Sequence, residues 1–160
     1  MSSIHKNLSD FQHIEIASSK DKKFGIVVSQ WNVEVTSKLL EGAVQRLLAQ
    51  GATEEDIDVI HVPGSFELIS GADWMLANKN FDAVICLGCV IQGETRHFDF
   101  ICQAVATGIS DVGIKYSKPV VFGVLTTDNL DQALDRAGGK HGNKGEEAAI
   151  TALQMSSLKI

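Results

Sequence analysis

Four β-branched runs alternating with helical segments predict an α/β fold, a three-layer αβα sandwich around a parallel sheet. Two observations carry this. The runs FGIVVS (24–29), IDVIHV (57–62), AVICLGC (83–89) and VVFGVL (120–125) are apolar with little alternation, as strands covered on both faces tend to be. Between them, apolar residues recur at intervals of three and four, over lengths that suit the crossover helices parallel strands require.

Taken in order, residues 11–17 (FQHIEIA) alternate enough for a short strand that stands apart from the rest. The first buried strand, 24–29, leads into a helix over 33–50, with Leu40, Val44, Leu47 and Leu48 at helical spacing and Gly51 as its C-terminal stop. Strand 57–62 ends at Pro63-Gly64, and a helix follows over 65–78. Strand 83–89 is followed by the turn Gly93-Glu94-Thr95 and a helix over 96–116. Pro119 opens strand 120–125, then come a short helix near 130–137, a Gly/Lys/His loop, and a last helix over 145–158. In such sheets ligands bind beyond the carboxyl ends of the strands.

The 160 residues make one domain, 1–160, in which 1–22 form an N-terminal arm. A domain of this size buries roughly 68–70% of its unfolded surface, enough to fold without disulfides or a structural metal. With 20 acidic against 14 basic residues the net charge is −6, which argues against a general nucleic-acid or anionic-membrane binder. Any anionic ligand needs a local basic pocket. No stretch approaches the ~18 apolar residues of a membrane helix, and the first ten residues lack a signal-peptide core, so a cytoplasmic protein is expected. Cys86, Cys89 and Cys102 sit in apolar surroundings and are expected to be reduced. Cys86 and Cys89 have redox-motif spacing, but three residues apart on a strand they face opposite sides.

The segments leaving the strands hold the candidate chemistry. Trp31 follows the first strand, where a large ring either caps the core or stacks on a ligand. Ser65, Phe66 and Glu67 follow the second, and an acid there also suits a helix dipole. Val90 and Ile91 follow the third. Gly93, Glu94 and Thr95 open a helix, which serves either as ordinary capping or as an anion cradle. His97 sits beside that turn, and an imidazole gives and takes protons near neutral pH. Arg136 to Lys144 is the one sustained basic stretch, with glycines that admit a close ligand and cations that suit phosphate. Together these fit a flat heteroaromatic ligand with a polar tail and a nearby anion.

Five stretches, VPGSFEL (62–68), GCVIQGETRHFDF (88–100), PVVFGVLTT (119–127), DRAG (135–138) and HGNKGEEAA (141–149), occur in the order seen in the lumazine synthase family, which the chain resembles from about 23 to 155. The resemblance implies a flavodoxin-like parallel sheet. It also implies condensation of 5-amino-6-(D-ribitylamino)-2,4-pyrimidinedione with 3,4-dihydroxy-2-butanone 4-phosphate to 6,7-dimethyl-8-ribityllumazine, phosphate and water. Neither metal nor organic cofactor is implied. By position, Trp31 stacks on the pyrimidine and Ser65, Phe66 and Glu67 hold the ribityl chain. Val90 and Ile91 line the ring, Glu94 and Thr95 lie at the phosphate turn, and Arg136 binds the phosphate. His97 shuttles protons. Phe122 and Lys144 complete the pocket and, with Arg136, come from the adjacent subunit.

The family forms pentamers, some of which assemble into 60-subunit shells. The short loop 138–143 suits the shell, the 11–17 strand could join a neighbour's sheet, and association with riboflavin synthase is a further implied partnership. Trp31 stands where the family commonly has Phe, and Phe100 where Tyr is frequent; a larger ring at 31 favours tighter product or riboflavin binding. A flavodoxin-like FMN carrier would want a Ser/Thr/Gly-rich loop where Gln30-Trp31-Asn32 stands. A non-catalytic riboflavin-binding or shell-forming relative is the alternative, and His97, Arg136 and Lys144 argue against it.

Overall fold

Four parallel strands form the centre of the computed structural model, which describes residues 7, 9–11 and 15–158. They are β1 (Phe24–Ser29), β2 (Ile57–Val62), β3 (Ala83–Ile91) and β4 (Val120–Thr127), in the spatial order β2-β1-β3-β4. All three pairings are parallel. The helices are α1 (Val33–Ala49), α2 (Leu68–Asn78), α3 (His97–Tyr116), the short α4 (Leu130–Leu134) and α5 (Lys144–Met155).

Burial shows why the strands carry apolar residues on both faces. Phe24, Ile26 and Val28 of β1 pack with Leu39 and Leu47 of α1 and Leu153 of α5. Val27, on the other face, packs with Leu68 and Ala72 of α2 and Val105 and Ile109 of α3. Helices therefore cover both faces, and the expected three-layer αβα sandwich is what the chain forms.

Helix α1 buries Val35, Leu39, Ala43 and Leu47, one residue every turn. It ends as its Gly51 suggests. The Ala52 amide donates to Leu47 O and the Gly51 amide to Leu48 O, with Gly51 at φ 110°, the pattern of a Schellman cap.

Several bounds move from their predicted places. β3 and β4 each run two residues further, because Val90 and Ile91 pair with Thr126 and Thr127. Helix α2 begins at Leu68 rather than 65, which leaves Ser65, Phe66 and Glu67 in the turn after β2. The predicted helix 130–137 stops at Leu134. Beyond it, β5 (Ala137–Gly139) and β6 (Gly142–Asn143) form an antiparallel ribbon where a loop is expected, with Lys140-His141 as its turn and Gly138 and Gly142 at positive φ within its strands. The strand expected at 11–17 lies partly outside the described residues; Glu15, Ile16 and Ala17 are not in a strand.

Candidate active site

At the carboxyl edge of the sheet the chain leaves β1 for one side and β3 for the other, so the crevice between these two strands is the topological switch point. A cleft of about 550 Å³ opens there. It is lined by the turn after β1 (Trp31, Asn32), the turn after β2 (Gly64, Ser65, Phe66, Glu67), the end of β3 (Cys89, Val90, Ile91) and the first turns of α3 (His97, Ile101). Seven of the residues predicted from the sequence thus meet in one place: Trp31, Ser65, Phe66, Glu67, Val90, Ile91 and His97.

The two rings are presented rather than packed away. Trp31 is 71% exposed and Phe66 50%, so neither is filling the core. That decides between the two readings of Trp31 in the single chain: its ring does not cap the core. The main chain beneath it is fixed, the Gln30 amide donating to Val62 O at 2.8 Å and the Trp31 amide to Pro63 O at 3.1 Å. Glu67 takes the N-cap position of α2 without making a side-chain cap bond. Its Oε2 lies 3.0 Å from where a Cβ on Gly64 would stand, so a side chain at 64 would crowd the carboxylate. Ser65 is buried, and its Oγ has no hydrogen-bond partner among the described residues.

The α3 start divides differently. His97 faces the cleft, while Glu94 and Thr95 are exposed in the preceding turn and do not line it. The Thr95 hydroxyl accepts from the His97 amide at 3.4 Å, a weak capping contact.

Among the described residues, no lysine or arginine lines this cleft. Phe122 and Lys144 line a second one of about 740 Å³, between the end of α3, β4 and α5. There Lys144 Nζ lies 3.0 Å from Glu147 Oε1, both side chains largely buried. Arg136 belongs to the same side by its main chain, since its carbonyl accepts from the Lys144 amide at 2.8 Å, and its guanidinium donates to Gln132 O at 2.9 Å. Within one chain, therefore, Lys144 and Arg136 stand apart from the rings, carboxylate and imidazole of the first cleft.

Cys86 and Cys89 face opposite sides of β3, as their spacing predicts, in the two different core clusters. Burial pushes the Cys86 thiol up to about 12 and the Cys89 thiol up to about 11, the reverse of what a redox or nucleophilic cysteine needs. Four lining residues were not signalled by the sequence: Asn32, Gly64, Cys89 and Ile101. Ile101 is one helical turn from His97, so helical spacing could have found it. Asn32 and Gly64 are ordinary turn residues, and nothing in their types marks a cleft.

The family model for 6,7-dimethyl-8-ribityllumazine synthase matches residues 21–159. A protein of Cytophaga hutchinsonii with that name is 62% identical over 160 residues, covering 100% of both chains. Namesakes from Flavobacterium johnsoniae and Porphyromonas gingivalis are 50% and 46% identical over 159 residues; each match covers 99% of this chain, and 84% and 99% of the relative. With the α/β fold, a family match across most of the chain and relatives alike over its full length, the protein belongs to the 6,7-dimethyl-8-ribityllumazine synthase family.

Proposed function

We propose that the chain catalyses the reaction for which its family is named, joining 5-amino-6-(D-ribitylamino)-2,4-pyrimidinedione to 3,4-dihydroxy-2-butanone 4-phosphate. The observation that carries this reading is the cleft at the switch point, where two presented rings, a carboxylate and an imidazole converge at strand ends. Trp31 stacks on the pyrimidine, with Val90 and Ile91 against the ring. Ser65, Phe66 and Glu67 hold the ribityl chain, with Glu67 accepting from its hydroxyls, and the orphaned Ser65 Oγ suits a hydroxyl partner.

The ring amine attacks the ketone carbon, and the carbinolamine loses water to give an imine. His97 removes a proton from carbon as the carbon–oxygen bond to phosphate breaks, and phosphate leaves with the electron pair. Elimination leaves an enol, which takes a proton on its terminal carbon and gives up its hydroxyl proton to become a new ketone; the second amine adds to that carbonyl, and loss of a second water closes the ring. Holding two substrates in register contributes up to ~7–11 kcal/mol in favourable cases, and proton transfer about 10²–10⁴-fold.

Phosphate needs cations, and those stand apart from the first cleft. The site is accordingly completed by an adjacent copy, whose Arg136, Lys144 and Phe122 face His97, with Glu94 and Thr95 at the phosphate turn. The family resemblance supports a pentamer that assembles into a 60-subunit shell in the cytoplasm and associates with riboflavin synthase; Trp31 tightens product or riboflavin binding.

Mixing the protein with both substrates and following lumazine fluorescence against the spontaneous reaction tests the activity. Co-refolding His97→Ala with Arg136→Ala tests the shared site. With equal random mixing, about a quarter of the sites regain both side chains, so activity returns to about a quarter of wild type. No recovery in mixed oligomers refutes the shared site, and a rate equal to the spontaneous one refutes the activity.

A further inference from the structure

The ladder between β1 and β3 ends at the pair Val28 and Leu87, yet β3 continues to Ile91. Two residues past the end of the ladder, the Cys89 carbonyl accepts from Asn32 Nδ2 at 3.0 Å, across 57 residues of sequence. A side-chain amide thus supplies the kind of bond that the ladder no longer provides where β1 turns away. Asn32 does so from the left-handed region, at φ 60°, which asparagine tolerates better than most residues.

Apart from its own helix α1, whose Val35 and Thr36 amides donate to Asn32 O, the turn carrying Trp31 is tied among the described residues to the end of β2 and to itself. The Gln30 and Trp31 amides donate to Val62 O and Pro63 O, and Ser29 Oγ donates to Trp31 O at 3.3 Å. Among the described residues, only the Asn32 amide joins this turn by a hydrogen bond to β3, whose last residues form the other wall of the cleft. From this geometry we infer that Asn32 is a positioning residue: its bond to the Cys89 carbonyl fixes the spacing between the Trp31 ring and the Val90–Ile91 wall, and so sets the slot for a planar heteroaromatic substrate. The substrate named here rests on the proposed synthase reading; the tie itself does not.

The chain has two tryptophans, and Trp74 lies on α2 away from the cleft, so a Trp74→Phe background leaves Trp31 as the sole reporter. In that background Asn32→Asp keeps the shape and turns the donor into an acceptor that repels the carbonyl. Asn32→Gly keeps the positive φ and deletes the amide. Each is expected to lower Trp31 fluorescence anisotropy and to raise KM for the pyrimidine about tenfold, with KM for the butanone phosphate and kcat moving less than about twofold.

Wild-type anisotropy with an unchanged pyrimidine KM in a folded variant overturns the inference, as does an equal rise in both KM values. Should Asn32→Asp fail to fold, Asn32→Gly decides alone. If the Trp74→Phe parent makes no lumazine, the proposed reaction fails, and anisotropy alone then tests the tie.

Discussion

Gly145 is the second residue of α5, and a Cβ built there would stand 1.9 Å from the Leu39 carbonyl oxygen and 2.6 Å from its carbon. Ordinary contact begins at 3.4 Å, so Gly145→Ala requires α1 and α5 to part by about 1.5 Å. Main chain cannot rotate aside as a side chain can, which puts the cost at the upper end of overpacking, about 3 kcal/mol. Alanine's better helix propensity offsets up to ~1 kcal/mol, leaving about 2–3 kcal/mol net. For a chain of this size that lowers Tm by about 4–12 °C. The assay is thermal unfolding at one fixed protomer concentration, because assembly makes apparent stability depend on concentration. Gly93→Ala is the control, since a Cβ there meets nothing within 4 Å. A Gly145→Ala protein melting within a degree of wild type, or a control that falls as far, refutes the close-approach account.

His97→Ala is expected to slow turnover by about 10²–10⁴-fold while a pyrimidine substrate analogue still binds, measured by single-turnover kinetics and calorimetry; an unchanged rate removes the imidazole from the mechanism. Arg136→Ala should raise KM for the butanone phosphate well above any rise for the pyrimidine, and equal rises count against a phosphate role. The buried thiols give a pH dependence. Because the Cys86 and Cys89 protons are held to about 12 and about 11 against an ordinary value near 9, the unfolded chain releases them first. Their contribution is present below pH 9 and is lost as pH rises toward 11; urea midpoints of Cys86→Ala should fall less steeply over that range than wild type, and parallel curves would contradict this.

The parallel sheet and the placing of ligand chemistry at its strand ends were legible because they follow from few rules. Four apolar runs with intervening helices leave a parallel sheet, and the ends of its strands collect Trp31, Phe66, Glu67 and His97 whatever the details. Local bounds were less legible. Val90 and Ile91 are as compatible with a buried strand as with a ligand-lining loop, and only their pairing with Thr126 and Thr127 decides. The glycine ribbon after α4 has no hydrophobic period to read. Asn32 escaped because its importance lies in a φ value and in a partner 57 residues away, neither of which residue type encodes. The proposal that Phe122, Arg136 and Lys144 act on a neighbour rests on family resemblance alone; the spacing of these residues says nothing about which chain they face.

Separating the charges has a chemical consequence. If Lys144 shared a pocket with Glu67 in one chain, the two would pair in the absence of substrate, and each would have to be released before the ribityl hydroxyls or the phosphate could bind. As folded, Glu67 makes no cap bond and faces the first cleft. Lys144 is instead held by Glu147, whose second oxygen is buried with no partner among the described residues, and Arg136 by the carbonyl of Gln132. Each cation is thus fixed in place by its own chain before any neighbour arrives. On the proposed reading, assembly brings an already oriented positive charge to an already oriented ring slot. A net charge of −6 disfavours phosphate over most of the surface, and the local cations, not the whole chain, have to overcome it.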